Sequence, residues 1–265
     1  EGVTSTSNPC WYNVLTYAIS NNEGLSFTQP FSAPNNLIAA APDPWNPDAI
    51  TEPYGSGFFL YGYQAPTNIV EKDNYYYAVF LKDTDPDKAL GSKSGHCLMR
   101  TDNLASPASW QGWDGKQFSL GMNAPYDYPS GDPHAITGSD GCAALSFSET
   151  SGYTGRSITF NTFLNKYIMV GGGIVGSNCG FHFSISPDLV TWSDSYFLMP
   201  GKVQYGSCWD GDFTGLTPYP SFVDQSDTST NFEYTDATFD VYYTYWNSNS
   251  LDRDLRRNPV TLSSP

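Results

Sequence analysis

Apolar and polar residues alternate in short runs along the whole chain, and none of these runs keeps the spacing of an amphipathic helix. Tyr12–Ser20 and Gly57–Tyr63 read as strands, followed by Ala65–Val70, a turn at Lys72-Asp73-Asn74 and the nearly all-apolar Tyr75–Leu81. A continuous apolar run bounded by turn residues is expected of a strand covered on both faces. The same order returns in Arg156–Asn161, a turn at Leu164-Asn165-Lys166, and Tyr167–Val170. Gly171–Gly180 then reads as a loop, with a loop or bulge at Gly171-Gly172-Gly173, before Phe181–Trp192. A third series comprises Tyr219–Val223, the polar stretch Asp224–Ala237, Asp240–Trp246 and Leu251–Val260. The pattern predicts an all-β protein.

One turn punctuates these strands. In Ser184-Ile185-Ser186-Pro187-Asp188-Leu189-Val190-Thr191-Trp192 an alternating strand meets a Pro-Asp turn, and a large aromatic follows. Ser and Asp side chains hydrogen-bond the backbone of such a turn, and the Trp can bury its ring against a sheet. A related stretch, Gly95–Leu104, ends at Trp110 after an insertion, and Ser20–Phe27 looks like a degenerate form of the Asp box of sialidase-type propellers, where its role is structural. Repetition of one supersecondary unit predicts a β-propeller. Its blades fall at about 57–113, 142–199 and 217–262, with a partial first blade, in one domain over 1–265. A propeller usually has at least four blades, so either Tyr12–Phe27 completes a blade with the C-terminal strand or residues are missing upstream; the abrupt start favours the second, with five blades when complete.

Composition narrows the setting. Aromatic residues make up 16 %, dominated by 19 Tyr and 16 Phe, and 24 Gly and 19 Pro accompany them, as many short strands joined by turns require. Only 15 % of residues are charged, so Asn, Ser, Thr and Tyr must cover much of the surface, which suits a secreted or extracellular protein. The formal net charge of −15 works against binding nucleic acid, anionic membranes or polyanionic glycans. No run is apolar for long enough to span a membrane, and no signal peptide precedes residue 1, which reads as a mature or trimmed start. The five cysteines lack the close spacing of a zinc or redox site; Cys142 and Cys179 share one repeat and are the first expected pair.

The motifs Ala65-Pro66-Thr67-Asn68-Ile69, Tyr75–Phe80 and Ser186–Trp192 together resemble the five-bladed propeller glycoside hydrolases of the arabinanase, xylosidase and invertase type. The resemblance spans roughly residues 57 to 246 through scaffold motifs. It implies three carboxylates meeting at the propeller axis: a base or nucleophile, an acid, and one that tunes the pKa. The first-blade Asp motif has no match at the start of this chain, and Glu52-Pro53 is a loose match to the acid-bearing motif.

Glycoside hydrolysis needs two carboxyl groups flanking the bond, one of which keeps its proton near neutral pH. The loops leading into blades offer Glu52, Asp140, Asp210 and Asp212 as catalytic candidates. Asp-Gly pairs are also ordinary turn formers, the competing reading for Asp140 and Asp210. Trp45, Trp209 and Tyr219 can present flat faces to a sugar ring, and His134 and Arg156 can contact polar substituents. The spacing Asp83-Thr84-Asp85-Pro86-Asp87 could suit structural calcium but lacks the Gly and late Glu of an EF-hand, so no cofactor and no metal site is expected. The expected partner is a neutral or weakly charged polysaccharide. A hydrolase ranks first, a non-catalytic carbohydrate-binding or surface-interaction propeller second, and a polysaccharide lyase or sialidase-like enzyme third.

Overall fold

The computed structural model describes residues 10–41, 59–83, 94–122, 142–149, 153–203, 208, 210–229, 231–248 and 252–263. Strands dominate, as expected. In chain order they are β1 (Cys10–Thr16), β2 (Leu37–Ala40), β3 (Phe59–Gln64), β4 (Val70–Lys72), β5 (Tyr75–Asp83), β6 (Ser94–Thr101), β7 (Gln111–Trp113) and β8 (Phe118–Gly121). They continue as β9 (Tyr153–Asn161), β10 (Lys166–Val175), β11 (Asn178–Ser186), β12 (Tyr196–Pro200), β13 (Ser221–Val223), β14 (Tyr234–Thr235), β15 (Thr238–Trp246) and β16 (Arg253–Thr261). No α-helix occurs among the described residues, so none there is long and apolar enough to cross a membrane.

The chain divides into two compact units, Glu1–Gln64 with Leu81–Ala143, and Ala65–Phe80 with Ala144–Pro265. In the first, β1 pairs with β2 antiparallel and with β3 in parallel, from Cys10↔Phe59 to Asn13↔Gly62. Gly62 has φ +105°, and an added Cβ would lie 2.2 Å from the Asn13 carbonyl oxygen, so only glycine lets these backbones approach. Buried Tyr63, Leu98, Met99, Trp110 and Met122 supply apolar core. Lys82 is also buried and donates from Nζ to the Cys142 carbonyl at 3.0 Å.

In the second unit, β9 to β12 form an antiparallel meander, and β14 lies parallel along the other edge of β9. Strands β13, β15 and β16 form a second sheet. Ile168, Val170 and Phe181 of the meander pack against Phe222, Phe239, Val241 and Tyr243 of that sheet. The Phe181 and Tyr243 rings meet edge to face at 5.2 Å, and Phe222 and Phe239 do so at 4.9 Å. Burying each large apolar side chain contributes about 1.5–3 kcal/mol, so this shared layer is a principal reason the two sheets stay stacked. Strand β13 also lies against β9, so the two meanders stack first strand beside first strand, as adjacent propeller blades do.

The recurring turn forms as its composition predicts. Ser186 Oγ accepts from the Leu189 N–H at 2.8 Å, and Asp188 Oδ1 accepts from the N–H groups of Val190 (2.9 Å) and Thr191 (2.6 Å). Leu189 takes φ +73°, and its carbonyl accepts from Trp192 Nε1 at 2.7 Å, which turns the indole inward against Phe147. The earlier copy repeats this with Thr101 and Asn103: Thr101 Oγ1 accepts from the Asn103 N–H and Asn103 Oδ1 from the Ala105 N–H, each at 3.0 Å. Asn103, rather than the adjacent Asp102, therefore takes the place of Asp188. In Ser20–Phe27, Ser20 Oγ accepts from the Gly24 N–H and Asn22 Oδ1 from the Ser26 N–H, both at 2.9 Å, a structural role as expected.

Three expectations need correction. Of Ala65–Val70, expected as one strand, only Val70 is in a strand: β4 is Val70–Lys72, and residues 65–69, which include Pro66, are irregular. Gly171–Gly180 is a hairpin rather than a loop: β10 runs to Val175 and β11 begins at Asn178. The expected glycine bulge is present, because the β9–β10 register slips between Val170 and Gly171. The cysteines pair as Cys97–Cys142 and Cys179–Cys208, not Cys142–Cys179. Sharing a repeat does not bring two cysteines together; the pairs that form have Cα atoms 5.8 and 5.9 Å apart, within bridging range.

Candidate functional site

The described candidates fall into two pairs, Arg156 with Tyr219 and Asp210 with Asp212. Arg156 is the extra residue of the β9 bulge: Ser157 faces Val170 and Gly155 faces Gly171, which leaves Arg156 without a cross-strand partner. Bulges of this kind re-aim a side chain relative to the regular pleat. The bulge depends on Gly171, whose added Cβ would lie 1.9 Å from the Thr154 carbonyl oxygen. The Arg156 guanidinium lies over the Tyr219 ring, 5.6 Å from its centroid, within cation–π range.

Tyr219 stands between Pro218 and Pro220, just before β13, with φ +61°. A left-handed backbone is uncommon for an aromatic residue and is held by its surroundings. Here the Pro218 carbonyl accepts from the Thr244 N–H of β15 at 3.1 Å, anchoring the turn to the sheet. The Tyr219 side chain remains exposed, at 57 % of its maximum. Two chemically useful side chains thus meet at the starts of the first strands of two stacked sheets.

Asp210 and Asp212 belong to a loop tied down on three sides. The Cys179–Cys208 disulfide fixes it to β11. Thr217 donates through N–H and Oγ1 to the Lys202 carbonyl at 3.0 and 3.1 Å. Gly215 donates to the Trp246 carbonyl at 2.8 Å. Inside the loop, Lys202 Nζ pairs with the Asp210 carboxylate at 2.7 Å and donates to the Thr214 carbonyl at 3.0 Å. Asp210 Oδ1 accepts from the Asp212 N–H at 3.0 Å, and Asp212 Oδ1 from the Thr214 N–H at 2.8 Å.

These contacts set the charge state. The hydrogen bond from Lys202 is the chief cause holding Asp210 below the usual carboxylate range, and the Thr214 N–H does the same for Asp212. Donors that favour the charged form oppose proton retention, so neither residue has the environment of a general acid. Asp114, Asp188 and Asp224 are displaced downward as well. The Asp-Gly turn reading thus describes Asp210 in this structure, and Gly211, at φ +84°, makes the bend.

Beside this loop is a pocket of about 530 Å³ lined by Met199, Pro200, Lys202, Thr217, Tyr243, Tyr245 and the Cys179–Cys208 disulfide. Its walls come from the ends of β11 and β12, from β15 and from the segment around Thr217; neither Arg156 nor Tyr219 lines it. Among the described residues no hydrogen bond or ion pair joins the two pairs of candidates. Sequence reasoning missed Lys202; the available signal was a basic residue beside an Asp-rich loop in a chain with only 12 Lys and Arg.

Glu52, Asp140, Trp45, His134 and Trp209 lie outside the described residues, as does most of the Asp83–Asp87 stretch. No group of three or more His, Cys, Asp or Glu that could hold a metal ion occurs among the described residues.

No family model and no curated protein sequence matches the chain. Among solved structures, it is similar to an endo-arabinase from Bacteroides thetaiotaomicron, with 13 % identity and a TM-score of 0.43 over 79 % of this chain and 58 % of that one. It is similar to an alpha-L-arabinofuranosidase from Lactobacillus brevis at 11 % identity and a TM-score of 0.43, covering 81 % of this chain and 54 % of that one. It is also similar to a family 117 glycoside hydrolase from the marine bacterium Zobellia galactanivorans at 9 % identity and a TM-score of 0.38, covering 93 % and 57 %. The chain therefore spans a little over half the length of each of these proteins.

Proposed function

We propose that this chain is a secreted, propeller-type glycoside hydrolase that acts on a neutral or weakly charged polysaccharide. The observation supporting this reading is the Arg156–Tyr219 pair, an exposed aromatic face backed by a cation at the starts of β9 and β13. Acid/base hydrolysis then needs one protonated and one ionised carboxyl group. Asp210 and Asp212 have surroundings suited to the ionised role only, so the proton donor is sought in Glu52 or Asp140. Two disulfides are consistent with an oxidising, extracellular setting.

The test is reducing-sugar release from a panel of plant and algal polysaccharides by the wild type and by Glu52→Gln, Asp140→Asn, Asp210→Asn and Asp212→Asn. Loss of turnover with retained binding in Glu52→Gln or Asp140→Asn supports hydrolysis. Retention on glycan columns without turnover by the wild type overturns it in favour of a binding propeller. That second reading is favoured by one feature: one oxygen of each described carboxylate candidate already accepts from a backbone N–H of the turn.

A further inference from the structure

We infer that Arg156 and Tyr219 form a subsite for a sugar residue bearing a single anionic substituent, a carboxylate or a sulfate ester. The inference rests on the glycan-binding reading above and specifies the substrate class.

Arg156 has no carboxylate partner among the described residues; its one contact of note is the Tyr219 ring. Arg257, by contrast, is paired with Asp240 at 3.1 Å, and Lys202 with Asp210. In a chain of net charge −15, a half-buried arginine with no anion beside it among the described residues offers its charge to an anionic ligand. The planar fork of arginine matches the oxygens of carboxylates and of tetrahedral oxyanions, and it forms charge-assisted hydrogen bonds to them. Stacking over Tyr219 orients the fork without neutralising it.

The ring supplies the other half of the site. One face meets Arg156, and with the side chain mostly exposed the ring can take the apolar face of a pyranose. The backbone holds both groups in place: the bulge enforced at Gly171 aims Arg156, and the left-handed turn between two prolines presents Tyr219. A densely charged polyanion would be repelled by the protein as a whole. An isolated anionic group on an otherwise neutral chain satisfies both the local cation and the global charge.

Calorimetric binding to matched glycans tests the inference. One arm compares a sparsely de-esterified galacturonan with its fully methyl-esterified form; the other compares a sparsely sulfated galactan with its desulfated form. The wild type is expected to favour the charged member of at least one pair by roughly ten- to hundredfold, as charge-assisted hydrogen bonds give. The arm showing the preference identifies carboxylate or sulfate. Arg156→Gln should abolish the preference, bringing the charged member down to the affinity that the same variant shows for its neutral counterpart. Tyr219→Leu should weaken both members and keep the preference, and a melting curve for each variant checks its fold. Equal wild-type affinity for charged and neutral members, or a preference surviving Arg156→Gln, overturns the subsite and leaves the glycan reading standing. Failure of the wild type to bind any of the four glycans overturns both.

Discussion

The side-chain amide of Asn68 meets the backbone of Ile158 edge to edge: Nδ2 donates to the Ile158 carbonyl and Oδ1 accepts from its N–H, both at 2.9 Å. An asparagine thus does at one point what a neighbouring strand would do along the edge of β9. Further along that edge β14 takes over, facing Phe160 and Asn161. Asn231 completes the bracket by donating to the Ile69 carbonyl.

Asn68→Ala should leave two partly buried backbone groups of β9 unpaired. Each such loss costs about 1–3 kcal/mol, so a destabilisation of about 2 kcal/mol or more is expected in urea unfolding. Asn68→Asp keeps the acceptor and loses the donor, and should fall between the wild type and the alanine variant.

Gly171→Ala drives a methyl group into the Thr154 carbonyl at 1.9 Å, a backbone clash that no rotamer relieves. A loss of about 3 kcal/mol or more is expected. At the adjacent Gly172 the nearest atom to an added Cβ is Val203 Cγ1 at 3.7 Å. Gly172→Ala should therefore melt close to the wild type, so the pair separates a specific clash from a general intolerance of alanine in β10.

His182 lies buried on β11, with Nε2 against the Asn178 carbonyl at 3.2 Å and the Tyr153 ring stacked at 6.0 Å. Burial is the main cause holding its pKa below the ordinary histidine value. The unfolded chain then takes up its proton at a higher pH than the folded one. This contribution to stability is present above about pH 6.5 and declines as the pH falls through the folded value. Melting temperatures of His182→Phe measured from pH 7 to 5 should fall less steeply than those of the wild type.

Asp188→Ala removes the acceptor for two N–H groups and the Thr191 hydroxyl, and should cost about 1–2 kcal/mol in unfolding experiments. Burial raises the Asp188 pKa, but the hydrogen bonds from Thr191, Val190 and Ser186 outweigh it and the net shift is downward. Its stabilisation is therefore complete above about pH 4 and lost as the pH falls through the folded value. Asp188→Asn keeps an acceptor, as Asn103 does in the other copy of the turn, but loses the carboxylate charge, and should fall between the wild type and Asp188→Ala at neutral pH.

Cys179→Ser combined with Cys208→Ser opens a tether between residues 29 apart in sequence. Chain-entropy arguments put the loss at about 3–4 kcal/mol. Under reducing conditions the wild type should lose more than this, because the Cys97–Cys142 bridge opens as well, and the double variant should lose only the share due to that second bridge, which a comparison of unfolding midpoints separates.

What the sequence reveals follows the range of the interactions. The Ser186–Trp192 turn is closed by hydrogen bonds between residues two to three positions apart, so residue types alone announce it. The exchange of Asp102 for Asn103 was hidden because both side chains can accept such bonds, and only the register with Thr101 decides. Cysteine pairing was misread because the path of the chain, not its repeat, brings Cys97 to Cys142. Arg156 and Tyr219 were legible as separate candidates, but their contact depends on a bulge and a left-handed turn that no local pattern signals. The Asp210 carboxylate likewise owes its downward shift chiefly to Lys202, eight residues away, which the sequence did not single out.

The nine-residue strand β16 closes its sheet with no partner on one side among the described residues, and Arg253, Asp254, Arg256 and Arg257 run along it. An incoming chain seeking that row of free amides and carbonyls would have to thread between guanidinium and carboxylate groups, several already committed to Trp246, Tyr245 and Asp240. Charges placed in this way disfavour edge-to-edge strand addition along this border, a useful property in a chain so rich in tyrosine and phenylalanine.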